Sequence, residues 1–362
     1  MEKKKNDFIA QGSILAVASI LVRVMGMIYR IPMTAIIGDK GNGFYSYAYS
    51  VYTILLLLSS YSLPLAVSKM VSAKAQLGQW RNVKRVFICA IAFAIGIGTT
   101  FGLIVLIGAQ FFTRVFFHSE LAAIALRFMA PTILIMALLG VFRGFFQGLQ
   151  NTLPTAVSQI VEGLINAIMS VVFAYFLFDF GHGMDAASGT TDLGYAWGAA
   201  GGAIGTGAGA LAGLIFCFIL FVAYRKILAV NISRDKTGTQ QEYGDIFRLM
   251  LSIALPVILS TALYNLIELV DGSLFNNIMA SKGMEDVKDS MWGAYNAKAL
   301  LLVHIPVSIS SAMAVSLVPT LTAAYALGDE QTAKSKVHAI LRFISILAFP
   351  SAVGLLVLAH PI

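Results

Sequence analysis

Charge is scarce in this chain. Of its 362 residues only 12% are Asp, Glu, Lys or Arg, and 58% are apolar. A soluble domain carries about one quarter charged residues, so a water-soluble globule is excluded even though the length would allow two of them. Cysteine is nearly absent. Cys89 and Cys217 both fall inside apolar runs, which excludes a disulfide framework and leaves them as small core residues. The sequence contains no Gly-Lys pair and no His-Glu pair. That removes a phosphate-cradling P-loop and an HExxH zinc helix, and with them ATP-driven pumping by a domain on this chain. No basic stripe lies on a soluble element, so a nucleic-acid partner is not indicated.

What the chain has instead is a series of long apolar runs. They are Ile9–Ile37, Phe44–Ser68, Val86–Phe112, Leu121–Phe146, Pro154–Phe178, Tyr195–Tyr224, Met250–Met279, Ala299–Ala326 and Ala339–Ile362. Each is long enough to cross a hydrocarbon core, which takes about 20 apolar residues. Backbone groups in lipid must be satisfied within the segment, and the runs lack the alternation of a barrel strand, so each is expected to be a helix. The expected fold is an all-α polytopic bundle. The first run follows Lys3, Lys4 and Lys5 but is too long for a signal-peptide core and has no clear small-residue cleavage site, so it is read as an uncleaved span.

The net charge of +7 is distributed unevenly. Seventeen of the twenty-five Lys and Arg residues fall in alternate loops, with Lys69 to Arg85 and Arg225 to Arg248 the richest. The positive-inside bias therefore predicts a cytoplasmic N-terminus. The longest polar stretch, Arg225–Phe247, is the natural seam between two lobes. This gives an N-lobe of six spans over 1–224, a cytoplasmic linker over 225–248 and a partial C-lobe of three spans over 249–362. An internal repeat supports two lobes. GFYSYAYS from Gly43 resembles GAYNAKAL from Gly293, and AKAQLGQWRNVKRV from Ala73 resembles AAYALGDEQTAKSKV from Ala323. Both pairs are 250 residues apart. Copies running in the same direction make a parallel repeat about an axis along the membrane normal.

Charges inside spans are costly, about 2.5 kcal/mol or more each at the bilayer centre, and so need a partner or a watery cavity. Arg23 sits mid-way along span one, and Arg30 lies two turns on, on the same face. Glu162 lies one turn from Asn166 in span five. Glu268 and Asp271 are at i, i+3 in span seven near Asn265, and Lys298 opens span eight. Structural pairing would join Arg23 with Glu162 or Lys298 with Asp271. The functional reading is a central cavity whose cations, Arg23 and Arg30, bind an anionic substrate, with Glu162, Asn166, Glu268, Asp271 and Lys298 as cavity or ion-coupling candidates. Arg127, Arg143 and Lys69 lie near span ends and are read as snorkelling to headgroups. His304 reads as a packed polar residue. The glycine-rich GAAGGAIGTGAGALAG (Gly198–Gly213) has no preceding strand and reads as close helix packing in lipid.

GSILAVASILVRVMGMIYRIPMTAIIGDKGNGFYSYAYSVY, SYSLPLAVSKMVSAKAQLG and GVFRGFFQGLQNTLPTAVSQIVEGLIN together resemble the polysaccharide-transporter branch of the MOP (multidrug, oligosaccharidyl-lipid, polysaccharide) exporters. Within it the likeness is to stage V sporulation protein B and MurJ-type lipid II flippases. The resemblance implies two lobes in a V around a cationic cavity with alternating access, and a polyprenyl-diphosphate-linked saccharide as cargo. It implies fourteen spans, so that nine would make a C-terminally truncated bundle. Arg23 carries over as the cavity arginine; Arg30 is shifted by about one position. The arginine that MurJ-type members place in span two has no counterpart in Thr53–Leu63, which favours the broader sporulation and polysaccharide branch.

The leading expectation is therefore a flippase. It would have no enzymatic activity and no cofactor or metal beyond a monovalent cation or the membrane potential as drive. It would be a monomer whose partners are a lipid-linked oligosaccharide and membrane lipids. The alternative is a MATE-like multidrug antiporter that binds organic cations through Glu162, Glu268 or Asp271. The sign of the cavity would separate the two. A membrane glycan polymerase or ligase would need a sizeable outer loop with catalytic groups. The longest such loop, Asp179–Leu193, carries only Asp179, Asp185, Asp192 and His182.

Overall fold

The computed structural model describes residues 2–188, 191–304, 306–307, 310 and 329–358. Among these residues the secondary structure is entirely helical. The helices are α1 (Glu2–Leu56), α2 (Leu63–Gln76), α3 (Trp80–Phe117), α4 (Ala122–Gly148), α5 (Leu153–Ser188), α6 (Leu193–Ser233), α7 (Tyr243–Ser281), α8 (Glu285–Ala294) and α9 (Glu330–Val357). Six helical segments of this set are apolar and long enough to span a membrane. The 39-residue α7 is also long enough but carries Glu268 and Asp271 in its middle. The chain is thus a multi-pass membrane protein, as its charge-poor runs require.

The 55-residue α1 is two spans, not one. Gly38 breaks it with φ 63 and ψ −177, a conformation that glycine adopts without a Cβ clash. The chain folds back there. Tyr29, Arg30 and Met33 before Gly38 line the same cavity as Tyr45, Ser46 and Tyr49 after it. On a straight helix Arg30 and Tyr49 would be about 28 Å apart, at 1.5 Å per residue. The two arms, 2–37 and 39–56, are the expected spans one and two. The second continues through a π-helical turn, Leu57–Tyr61, into α2, where Pro64 sits in the first turn and loses no helical hydrogen bond.

α5 and α6 pack antiparallel along a stripe of glycines four residues apart. The Cβ that Gly209 lacks would fall 2.6 Å from the Glu162 carbonyl oxygen, and at Gly205 it would strike the Ser170 backbone. Small residues let helices approach closely where lipid gives no hydrophobic drive, so the glycine-rich run does serve packing. Aromatic and apolar side chains form one core around Tyr47, Phe117, Met129 and Trp292, near Gly38. A second lies around Phe87, Phe142 and Phe145, near the α6–α7 linker. Apolar residues also cover the outside, such as Ile107 and Phe176, as in helices that face lipid.

Several boundaries differ from those expected. α5 runs to Ser188 and α6 begins at Leu193, so most of the anticipated loop Asp179–Leu193 is helix. Asp185 on α5 accepts from the N–H groups of Leu193 and Gly194 at 2.9 and 3.2 Å; these first-turn donors of α6 lack intrahelical partners, so the helix can start early. At the other end α6 extends to Ser233 and α7 starts at Tyr243, which reduces the non-helical linker to residues 234–242. Of span eight, only the segment to His304 and three further residues are described; the rest lies outside the described residues. Span nine corresponds to α9, with its last four residues also outside.

The two copies of the sequence repeat meet. Gly43 on α1 lies against the Asp289 carbonyl, and Gly293 on α8 lies against the Asp39 carbonyl. With the 250-residue offset, Asp39 matches Asp289 and Gly43 matches Gly293. The contact is therefore reciprocal, residue i on j′ and j on i′, as at an interface around a two-fold axis. No side chain would fit at either glycine. Gly43 and Gly293, matched positions of the two copies, thus lie at the same end of the bundle; the copy from Ala323 begins outside the described residues.

Candidate substrate cavity

A cavity of about 180 Å³ lies where the α1 hairpin meets α7 and the segment after α8. From α1 come Tyr29, Arg30, Met33, Asn42, Tyr45, Ser46 and Tyr49; from the other side come Glu268, Asn296, Ala297, Leu300 and His304. Helical geometry explains the set. Tyr45 and Tyr49 are one turn apart and share a face, whereas Tyr47 points the other way. There its hydroxyl donates to Asn276 Oδ1 on α7 at 2.9 Å, and its ring stacks on Phe117 with centroids 4.7 Å apart. Tyr45 is held from behind by Thr206 on α6, 3.4 Å between hydroxyls.

Asn42 and Asn296 are both buried, 7% and 8% exposed. Each donates its Nδ2 to a carbonyl one turn back, Gly38 at 2.8 Å and Trp292 at 2.9 Å. Fixing the amide nitrogen against the helix leaves the side-chain oxygen as the acceptor available to the cavity. Ser50 reaches Glu268 Oε1 at 3.4 Å, a long bond that leaves the carboxylate open to other partners.

The structure brings together some of the expected site residues and separates others. Arg30 and Glu268 line the same cavity. Arg23 is on the same face two turns away; it is exposed and does not line the cavity. The expected pairing of Arg23 with Glu162 is not what forms. Glu162 Oε2 accepts from Arg143 at 2.7 Å, and Arg143 Nε donates to Ser158 at 2.8 Å. Arg143 is 9% exposed, so it does not snorkel. α4 turns it toward α5, where a carboxylate and a hydroxyl satisfy its fork. Asn166 accepts from Ser170 at 2.8 Å within α5 and belongs to this packing rather than to the cavity.

Lys298 does not pair with Asp271 either. It donates to Asp39 Oδ2 at 2.7 Å, across the reciprocal glycine contact. Asp271 is exposed and has no ion-pair partner among the described residues. Lys288 is also buried, bonding the Phe117 carbonyl at 3.1 Å and Asp289 at 2.8 Å.

Sequence reasoning passed over the tyrosine wall and the two asparagines, and gave His304 a packing role although it lines the cavity. The spacing of Tyr45, Tyr49 and Tyr52 at i, i+4 and i+7 was the readable signal. Asn42 and Asn296 gave none, since only the meeting of α1 with α8 brings them to one space. The cavity's sign is mixed, since Arg30, Glu268 and His304 all line it. No cluster of His, Cys, Asp and Glu that could hold a metal ion occurs among the described residues.

Solved structures of MOP-superfamily transporters share this all-helical fold. The chain is similar to an inward-facing MATE-family multidrug transporter of that superfamily, with TM-score 0.66, 14% identity, and 94% of this chain and 74% of that one covered. It is similar as well to a MOP-superfamily transporter from Pyrococcus furiosus described as having a binding pocket of reverse polarity, with TM-score 0.60, 15% identity, and 98% and 73% covered. These likenesses concern the fold.

The chain belongs to the family described as Polysaccharide biosynthesis protein, which it matches over residues 8–324. It is 26% identical to the lipid II flippase MurJ of Bacillus subtilis (strain 168), covering 96% of this chain and 64% of that protein. It is 25% identical to stage V sporulation protein B of the same organism, covering 88% and 58%. The chain thus spans about three fifths of the length of these relatives.

Proposed function

We propose that this protein is a flippase that moves a polyprenyl-diphosphate-linked saccharide across the cytoplasmic membrane by alternating access, without chemical change to its cargo. The observation that carries the reading is Arg30 in the polar cavity between the repeats, in a chain of the polysaccharide biosynthesis family. A guanidinium presents fixed donors that match phosphate oxygens. Asn42, Asn296 and the tyrosine hydroxyls would address sugar hydroxyls, with the polyprenyl tail left in lipid. Arg23, on the same face, would guide the diphosphate toward Arg30. The lobes are 1–224 and 249–362 with 225–248 between them, the N-terminus is cytoplasmic, and the protein acts as a monomer driven by a monovalent cation or the membrane potential.

The test is a flipping assay with the full-length protein in cells lacking every other such flippase. Arg30→Ala should abolish flipping while membrane levels hold, and Arg30→Lys should restore little, because a point charge lacks the bidentate geometry. Arg23→Ala should reduce flipping by a smaller factor. Full activity of Arg30→Ala would overturn the diphosphate role.

Glu268 in the same cavity favours the second reading, a multidrug antiporter that binds organic cations. That reading requires Glu268→Gln to abolish efflux of a cationic dye and Arg30→Ala to leave it intact.

A further inference from the structure

The residues between α6 and α7 do not form a free tether. Asp235, 7% exposed, accepts the Arg81 N–H on Oδ2 at 2.9 Å. That amide lies in the first turn of α3, where helical N–H groups lack internal partners. The other oxygen of Asp235 accepts from the N–H and the hydroxyl of Thr237 at 2.9 and 2.6 Å. These bonds, the Arg81 amide first, hold the carboxyl down at about 2.

Asn82 has no exposed surface. It donates to the Thr239 carbonyl at 3.1 Å and accepts the Gln241 N–H at 3.0 Å. It thus pairs with the linker backbone as a neighbouring strand would. Arg85 donates to the Gln241 carbonyl at 2.6 Å and to Gln240 Oε1 at 2.9 Å, and its guanidinium lies 5.2 Å from the centre of the Tyr243 ring. The Cys89 sulfur is 3.9 Å from the Tyr243 carbonyl, and Phe93 meets Phe247 edge-on at 5.5 Å.

Arg81, Arg85, Cys89 and Phe93 are one turn apart and make a single stripe along α3. Their partners advance in the same direction, from Asp235 to Phe247. Ile246 and Met250 then enter the core around Phe87. A polar, glycine-containing segment of this composition would ordinarily be solvated and mobile. Here the Thr239 and Gln241 backbone groups are taken up by the side chains of Asn82 and Arg85 on α3. An asparagine with no exposed surface at a helix start is costly unless both its groups are paired, and only the linker pairs them both to backbone.

We propose that residues 235–243 are a strap seated on α3, which fixes the linker end of α7 to that helix. The strap rests on no part of the flippase reading.

Hydrogen exchange on the full-length protein in lipid nanodiscs tests it. The Thr237 and Gln241 amides should exchange at least about tenfold more slowly than in a free peptide of the same segment, as locally stable structure does. Asn82→Ala should erase that protection from 237 to 243 and leave the middle of α3 unchanged. If Asn82→Ala also loosens α3, Arg85→Met provides the milder test, with faster exchange at Gln241 expected. Free-peptide exchange of these amides in the unaltered protein, or full protection in both variants, would overturn the proposal.

Discussion

Arg143 shows how a single side chain changes meaning with its surroundings. Near the end of an apolar run it has the position of a headgroup anchor, yet α4 faces α5 there and gives it Ser158 and Glu162 as partners. Breaking a buried pair by removing one member strands the other, at a cost of about 3–5 kcal/mol. Arg143→Ala should therefore lower the melting temperature and membrane abundance sharply. Arg143→Met combined with Glu162→Leu should recover much of the loss, since a matched apolar pair strands no charge. An Arg143→Ala protein as stable as its parent would show that the pair is not what holds α4 to α5.

Among the elements, α6 is closely packed along much of its length. Its glycine stripe lets the α5 backbone occupy the space of missing side chains, and at Gly205 even a single carbon would meet Ser170. Gly205→Val should destabilise the α5–α6 pair by about 1–3 kcal/mol or more, as overpacking does, read as loss of thermal stability in detergent. Gly96, with open space around it, should accept valine with little change. The side on which each connection lies is a separate matter, governed by Lys and Arg. A cysteine at Gly238 should be shielded from an impermeant thiol reagent in intact cells, and one at Thr191 should be labelled. The opposite pattern would invert the proposed orientation.

For the whole molecule, the reciprocal contact of Gly43 and Gly293 with the Asp289 and Asp39 carbonyls is a close join between the two repeats. The Asp39–Lys298 ion pair spans it at 2.7 Å. Both charges are partly exposed, so the pair contributes little to stability; its place at the seam is what matters. On the proposed flippase reading, in which the lobes separate at this end, cysteines at 39 and 298 should stop flipping when oxidised to a disulfide, and flipping should recover on reduction. Flipping that continues through a quantitative cross-link would mean that this end stays closed throughout the cycle.

The class of protein was legible without coordinates. Nine apolar runs, a charge bias between alternate loops and a 250-residue repeat are local or periodic properties, and lipid admits few structures that satisfy the backbone within them. Arg30 and Glu268 were also legible, because a charge inside an apolar run stands out whatever it touches. Which charges meet was not. Arg23 with Glu162 and Lys298 with Asp271 were reasonable pairs by charge alone, but partner choice depends on which helix faces turn toward each other. Arg143 lies across an α4–α5 contact, and Lys298 reaches Asp39 only because α8 crosses α1 at two glycines. Two spans become a hairpin at Gly38 through one backbone angle, and Asn42, Asn296 and the tyrosines converge only once that hairpin has closed on α7 and α8. Sequence by itself determined the medium and most of the spanning helices, because these follow from hydropathy and hydrogen bonding within a segment. Tertiary structure alone decided the cavity and its partners, because contacts between residues hundreds of positions apart depend on packing that no single segment encodes.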